Sequence, residues 1–283
     1  MATIPISLDQ PRRMESSTSP AIVRTVRSEL ARLTRWSFLG SGVLTVAAIT
    51  LLSTIAIFYG AANAEGEEGF GPAMMGAALS AASGSVVTVQ GAASMLGIAV
   101  LAFAATAVAS DYSTGFIRLL VQAEPRRWRL IAGKAVALAR LTIGAAALAT
   151  VVGVAASYVM AVLTEVSTAA WTPDLLGTMG TTFGNLSLGL GVWGMIGFVI
   201  AVLTRSTAAA IAGGIGYVLV VENLLGLLYQ DLTRWLPGSA ITAMVDGGND
   251  TLSYSTALGL SLLYILLGLV ISLAVFQRRD ITA

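Results

Sequence analysis

The sequence predicts an all-α, polytopic membrane protein with six transmembrane helices, an N-terminal interfacial helix and a short cytoplasmic helix between spans two and three. Its composition is the first observation: 56% of the residues are hydrophobic and 11% are charged, against about 45–50% and about 25% in soluble domains. The second is a set of six apolar runs, each long enough to cross a hydrocarbon layer as a helix. The runs are continuously apolar, which favours helices over the alternating strands of a barrel.

The six predicted spans are apolar runs near the length that a bilayer requires. They are about 37–60, 88–109, 135–163, 183–203, 208–229 and 255–276. The first run exceeds the core of a secretory signal, which favours a retained span over a cleaved signal peptide. No polar stretch could form a second folded unit, so residues 20–283 are predicted to form one transmembrane domain after a disordered tail, residues 1–19.

The distribution of charge orients the predicted bundle. The N-terminal segment, the loops between spans two and three and between spans four and five, and the C-terminus carry nearly all the basic residues. Arg234 alone falls in an outer loop, while acidic residues predominate there. Because Lys and Arg near span ends accumulate on the cytoplasmic side, both termini are predicted to be cytoplasmic.

Residues 20–35 form the predicted interfacial helix. Its apolar residues fall on one helical stripe, with the arginines largely elsewhere; they are Ile22, Val23, Val26, Leu30 and Leu33. Such a helix suits membrane lipid, its arginines meeting anionic headgroups. Two interpretations of this helix are open. Its charges orient the chain while it contacts lipid, or it also contacts a cytoplasmic partner.

The loop between spans two and three combines basic and apolar residues. Ser110 or Asp111 is predicted to cap a short helix running to about Ala123. Glu124 should end that helix, because a residue that precedes proline is disfavoured in the α region, and Pro125 should open the next helix. The apolar residues of this helix are expected to lie against protein or lipid rather than in free water.

The loop contains a spaced series of acidic, glycine, apolar and basic residues, which are Asp111, Gly115, Phe116, Arg118-Leu119-Leu120, Pro125, Arg126-Arg127 and Gly133-Lys134. This series resembles the corresponding loop of type-2 permeases of ATP-binding-cassette (ABC) transporters. The resemblance extends to the N-terminal helix, the six spans and an outer loop with Trp235-Leu236-Pro237 before the last span. It therefore covers most of the chain, although the central loop is its only sharp motif.

The resemblance implies a permease subunit of an exporter in the bacterial cytoplasmic (inner) membrane. Segment 111–123 would be a coupling helix seated on a separate ABC ATPase subunit, and a second permease copy, identical or related, would complete the translocation path. The expected docking residues are Asp111, Gly115, Phe116, Arg118, Leu120, Arg126 and Arg127. ATP and magnesium would bind the partner, because Lys134, the only lysine, has no phosphate-binding loop around it. A merely topogenic basic loop is the alternative.

Glu222 and Asn223 are the strongest polar feature within a span. A charge at that depth should be neutralised, hydrogen-bonded or facing water. Two roles are open for these residues: a local hydrogen bond or helix break near the end of the span, or a place in the lining of a substrate path. Glycines of spans four and five predict close helix approach, within the chain or at a dimer seam.

The residue types that are missing exclude several kinds of chemistry. Without histidine and cysteine, the chain has no His- or Cys-based catalytic pair and no metal site of those ligands. The chain is therefore expected not to be an enzyme by itself and to bind no metal, cofactor or nucleic acid. The main alternative to a permease is a non-transporting membrane scaffold or immunity-type protein, ahead of a membrane enzyme.

Overall fold

A computed structural model describes residues 21–63, 72–124, 126–171 and 173–278. The predictions for the tail, residues 1–19, and for Pro125 lie outside these ranges. Within them the chain is helical and contains no strand.

Twelve α-helices and one π-helical segment follow one another through the described residues. They are α1 Ala21–Leu33, α2 Trp36–Ala62, α3 Pro72–Ser80, α4 Gly84–Ser113, α5 Phe116–Ala123, α6 Arg127–Leu163, α7 Leu175–Thr204, α8 Thr207–Gly216, the π-helical segment Tyr217–Glu222, α9 Asn223–Leu228, α10 Gln230–Thr233, α11 Pro237–Val245 and α12 Tyr254–Arg278.

The six predicted spans are confirmed as apolar helices long enough to cross a membrane. Among the described residues these are α2, α4, α6, α7, the segment Thr207–Leu228 and α12. Helix α6 begins at Arg127 and includes the predicted span 135–163, so the basic residues that precede this span belong to the same helix, as predicted. The chain is thus built as a multi-pass membrane protein.

Helices α4 and α7 form the centre of the bundle, where small residues allow close contact. A Cβ at Gly197 would lie 2.3 Å from the carbonyl oxygen of Leu101, and one at Gly97 would lie 2.1 Å from the Trp193 ring. These contacts confirm close approach within the chain. Gly184 differs, since among the residues that the structure describes none has an atom within 4 Å of a Cβ added to it.

One end of the bundle holds α1, α5 and the last residues of α12, and it is called the α5 end below. There α1 lies along α6, with Thr25 close enough to Gly133 that an added Cβ would meet it at 2.7 Å. The buried side of α1 carries Thr25, Glu29 and Leu33. The predicted stripe overlaps this side, since Leu33 is buried, Ile22, Val26 and Leu30 are half-buried and Val23 is exposed, and polar pairing adds Thr25 and Glu29 to the face that meets the bundle.

At the opposite end, α3 packs against α2 and α4. Trp171 is buried there, and its indole nitrogen donates a 2.8 Å hydrogen bond to the Leu79 carbonyl. Tyr158 of α6 meets the same ring edge to face, with centroids 5.0 Å apart. This contact ties the α6–α7 connection to α3.

Candidate functional site

The α4–α6 connection is a helix between two sharp corners. The first corner is Gly115, whose φ of +70° favours glycine because a Cβ is strained there. The second is Glu124, whose extended backbone (φ −134°, ψ 95°) agrees with the predicted effect of the following proline. Between these corners α5 stands as a separate two-turn helix.

The predicted start of this helix was wrong. Ser110 and Asp111 do not cap it, since α4 continues through them to Ser113 and α5 begins at Phe116. The physical reason is that the break requires the left-handed conformation, which Gly115 adopts readily. Capping chemistry alone placed the boundary five residues too early.

The two sides of α5 differ in exposure. Ile117 is 5% exposed and packs into the core with Leu120, at the three-residue spacing that sets side chains on one helix face. Phe116 and Leu119 are 38% and 59% exposed, and Arg118 is exposed as well. The outer side of α5 therefore combines apolar and basic side chains.

A cleft lies on each side of α5. The one facing α1 has a volume of about 420 Å³, and its lining includes Arg32, Arg35, Phe116 and Leu119. The other has a volume of about 550 Å³, and its lining includes Tyr112, Ile117, Arg118 and Arg205. The helix thus forms a ridge between two clefts that both have arginine in their walls.

A buried charge cluster lies beneath this ridge. Asp111 is 2% exposed, and its two carboxylate oxygens pair with Arg32 of α1 and Lys134 of α6. Glu29 completes the cluster, its oxygens lying 2.9 Å from Lys134 Nζ and 3.0 Å from Arg32 Nη2. Arg32 also donates a 3.0 Å hydrogen bond to the Ala107 carbonyl of α4.

The cluster joins three helices and is electrically balanced. Its two carboxylates and two cations come from α1, α4 and α6, so each buried charge has a partner, as burial requires. It also reaches α5, because the Arg32 guanidinium lies 5.8 Å from the centroid of the Phe116 ring. Helix α5 thus contacts the cluster through the Phe116 ring.

The predicted docking residues fall into separate groups. Asp111 lies inside the protein rather than at an exposed surface, because its carboxylate pairs within the charge cluster. Arg127 donates hydrogen bonds of 3.3 and 3.2 Å to the carbonyls of Phe276 and Gln277 at the end of α12, where a cation suits the free carbonyls. Arg118 and Arg126 are exposed at the surface.

Glu29 was missed as a site residue from the sequence. The feature of the sequence that could have identified Glu29 is that it is the one acidic residue in a helix whose other charges are basic. Its partner Lys134 is the only lysine of the chain. Spacing alone links Glu29 only to Arg32, because the other contacts depend on how α1 packs on the bundle.

Glu222 and Asn223 lie where the fifth span changes helix type. Glu222 ends the π-helical segment and accepts a 3.1 Å hydrogen bond from the Gly238 backbone amide at the start of α11. Asn223 donates a 3.0 Å bond to the Leu219 carbonyl. These bonds correspond to the local alternative, a hydrogen bond at a helix irregularity, while a substrate path remains a prediction.

Most of these elements lie in a region of the chain that matches a known protein family. Residues 67–282 match the sequence model of the family described as DUF2705, a protein family of unknown function. None of the curated proteins compared with the chain matches it. The matched range includes α3 to α12, and hence the whole α4–α6 connection, whereas α1 and α2 precede it. Because the matched range covers well over half of the sequence, the chain belongs to the DUF2705 family.

Proposed function

We propose that this protein is the membrane-spanning permease subunit of an ATP-driven exporter, with α5 as the helix that docks on a separate ATPase subunit. The α5 end then faces the cytoplasm, with both termini, and a second permease copy completes the translocation path. The observation that carries this proposal is the α5 ridge, which presents apolar and basic side chains beyond the ends of the membrane spans.

The exposed apolar residues of α5 support a protein partner. Phe116 and Leu119 are 38% and 59% exposed, and removing apolar surface from water gains about 25 cal/mol per Å². A groove on the partner that receives this ridge would recover that free energy. Short connections between membrane helices have no need of such residues for topology alone.

The basic side chains indicate the chemistry of the partner's groove. Arg35, Arg118 and Arg126 are exposed around α5. A groove lined by carboxylates would pair with them, and complementary charge speeds association and sets the register of docking. The proposed ATPase would therefore receive α5 in an apolar groove that has acidic edges.

The buried charge cluster supports transmission of movement from the partner to the bundle. A displacement of α5 at the ATPase interface changes the arrangement of the membrane helices only if the packed helices move as units, so α5 and the bundle must be rigidly connected. Asp111 sits just before α5, and its two ion pairs link α4 to α1 and α6. Closure of two ATPases around ATP would shift both α5 helices and bias the bundle between inward-open and outward-open states.

The test is purification of the tagged chain from its native membrane in mild detergent, with mass spectrometry of the bound proteins and an ATPase assay. Phe116→Asp and Leu119→Asp should each abolish co-purification of a stoichiometric ATPase, because a charge would enter the apolar groove. Phe116→Leu should retain it. Leu176→Asp is the control, since this exposed leucine lies at the start of α7 at the opposite end.

The outcomes separate the candidate functions. An ATPase that accompanies the wild type and Leu176→Asp but not the two α5 variants supports the permease. A stoichiometric partner without ATPase activity would instead favour the scaffold or immunity-type alternative. An ATPase retained by both α5 variants would show that the partner docks elsewhere.

A further inference from the structure

A lateral cleft of about 380 Å³ lies between α2, α4 and α6, within the part of the bundle that spans the membrane. Its volume falls in the range of small-molecule sites, about 300–1,000 Å³. Apolar side chains line nearly all of it. Phe38 and Phe103 form one wall, packed edge to face with centroids 5.3 Å apart, and Leu148 lies in the lining farther from the α5 end.

Arg140 is the single charged residue in the described lining of this cleft. Its side chain is exposed, and within the described ranges no hydrogen bond or ion pair involves its guanidinium. The other nearby polar group, the Thr142 hydroxyl, is occupied, since it donates a 2.9 Å hydrogen bond to the Ala139 carbonyl. The guanidinium is thus a free donor at the edge of an apolar cleft.

The depth of Arg140 matches a lipid headgroup. At a rise of about 1.5 Å per residue, it lies roughly 35 Å along α6 from Leu163, where the helix ends. The hydrocarbon layer is about 30 Å thick. With Leu163 at the opposite boundary, the guanidinium therefore reaches the phosphate level of the leaflet at the α5 end, while the cleft extends from there into the acyl layer.

We propose that this cleft binds one anionic phospholipid, with its phosphate on Arg140 and an acyl chain between Phe103 and Leu148. Two observations select a lipid over a protein segment. Exposed apolar residues of α2, Leu39 and Val43, border the cleft at acyl-chain depth, and the one unpartnered charge in its described lining is positive at the level of the phosphates. The site is distinct from the α5 ridge and does not depend on the proposed ATPase.

Gly144 provides a way to fill the cleft without touching the arginine. It lies in the lining, and no atom of the described residues is within 4 Å of a Cβ added to it. Gly144→Leu should therefore place an apolar side chain where the acyl chain lies. Gly259→Leu is its matched control, because this glycine of α12 has equally open surroundings and lies outside the cleft.

The experiment is native mass spectrometry of the delipidated full-length chain, titrated with phosphatidylglycerol or phosphatidylcholine. The wild type should retain one tightly bound lipid and prefer phosphatidylglycerol by about fivefold, the value of one cationic side chain near an anionic lipid surface. Arg140→Gln should lose that preference, and Arg140→Lys should keep it. Arg234→Gln, which removes an exposed charge outside the cleft, should behave like the wild type.

Gly144→Leu should lose the retained lipid of either headgroup, whereas Gly259→Leu should keep it. The headgroup assignment is overturned if Arg140→Gln prefers phosphatidylglycerol as strongly as the wild type does. The position of the chain is overturned if Gly144→Leu retains lipid normally. Because the two substitutions act on separate parts of the site, each remains informative if the other prevents folding.

Discussion

Asp111→Asn should destabilise the protein by about 3–5 kcal/mol, the usual cost of removing one partner from a buried ion pair. The asparagine keeps the shape of the side chain but removes a charge that is 2% exposed and paired with both Arg32 and Lys134. Glu29 would then be the one carboxylate shared by two cations, leaving an uncompensated positive charge. Folded proteins are stable by about 5–15 kcal/mol in total, so the loss is large.

A second substitution should reverse part of this loss. Lys134→Met removes the surplus cation, so in Asp111→Asn/Lys134→Met the remaining pair, Glu29 and Arg32, is again neutral. The double variant should lose at least about 2 kcal/mol less than the sum of the two single variants, within the range of coupling between contacting residues.

The assay is unfolding in mixed micelles, followed by tryptophan fluorescence, with Glu124→Gln as the control at the same end. Glu124 makes a longer ion pair of 3.3 Å with Arg129, and both side chains are more exposed than that of Asp111. Glu124→Gln should lower the free energy of unfolding by about 1 kcal/mol or less. If Asp111→Asn costs no more than this control, or if the double variant loses the full sum, the cluster does not act as a coupled unit.

Two further predictions concern glycines. Gly197→Ala should lower the free energy of unfolding by about 1–3 kcal/mol, since its Cβ would lie 2.3 Å from the Leu101 carbonyl oxygen and force α4 and α7 apart. Gly184→Ala is the control, because the space around Gly184 is open, and it should be neutral or slightly stabilising. Equal unfolding free energies for the two variants would contradict the close crossing of α4 and α7. Gly115→Ala should cost about 1–2 kcal/mol through its φ of +70° alone, because no atom lies within 4 Å of the added Cβ. Gly40→Ala, in a helical and equally open position of α2, is the control, and a loss no greater than its own would show that the α4–α5 corner does not need glycine.

The parts of the site that follow from local chemistry could be predicted, and the parts that depend on packing could not. Glu124 is extended as its position before proline predicts, and Phe116 and Leu119 belong to a short helix between two spans. The start of α5 depended on a left-handed residue, which glycine permits but does not require. The glycine at position 115 therefore marked a possible corner rather than a definite one.

Hydrophobicity by itself determined the number and placement of the six membrane helices, because each run must satisfy its own backbone hydrogen bonds in lipid whatever its neighbours are. Only the tertiary structure decided that Thr25 and Glu29 of α1 face the bundle, that Glu29 and Asp111 share Lys134 and Arg32, and that Arg140 borders a cleft. These features join residues far apart in the chain. Their contacts come from the relative positions of α1, α2, α4 and α6, which are set by packing rather than by the periodicity of any one helix.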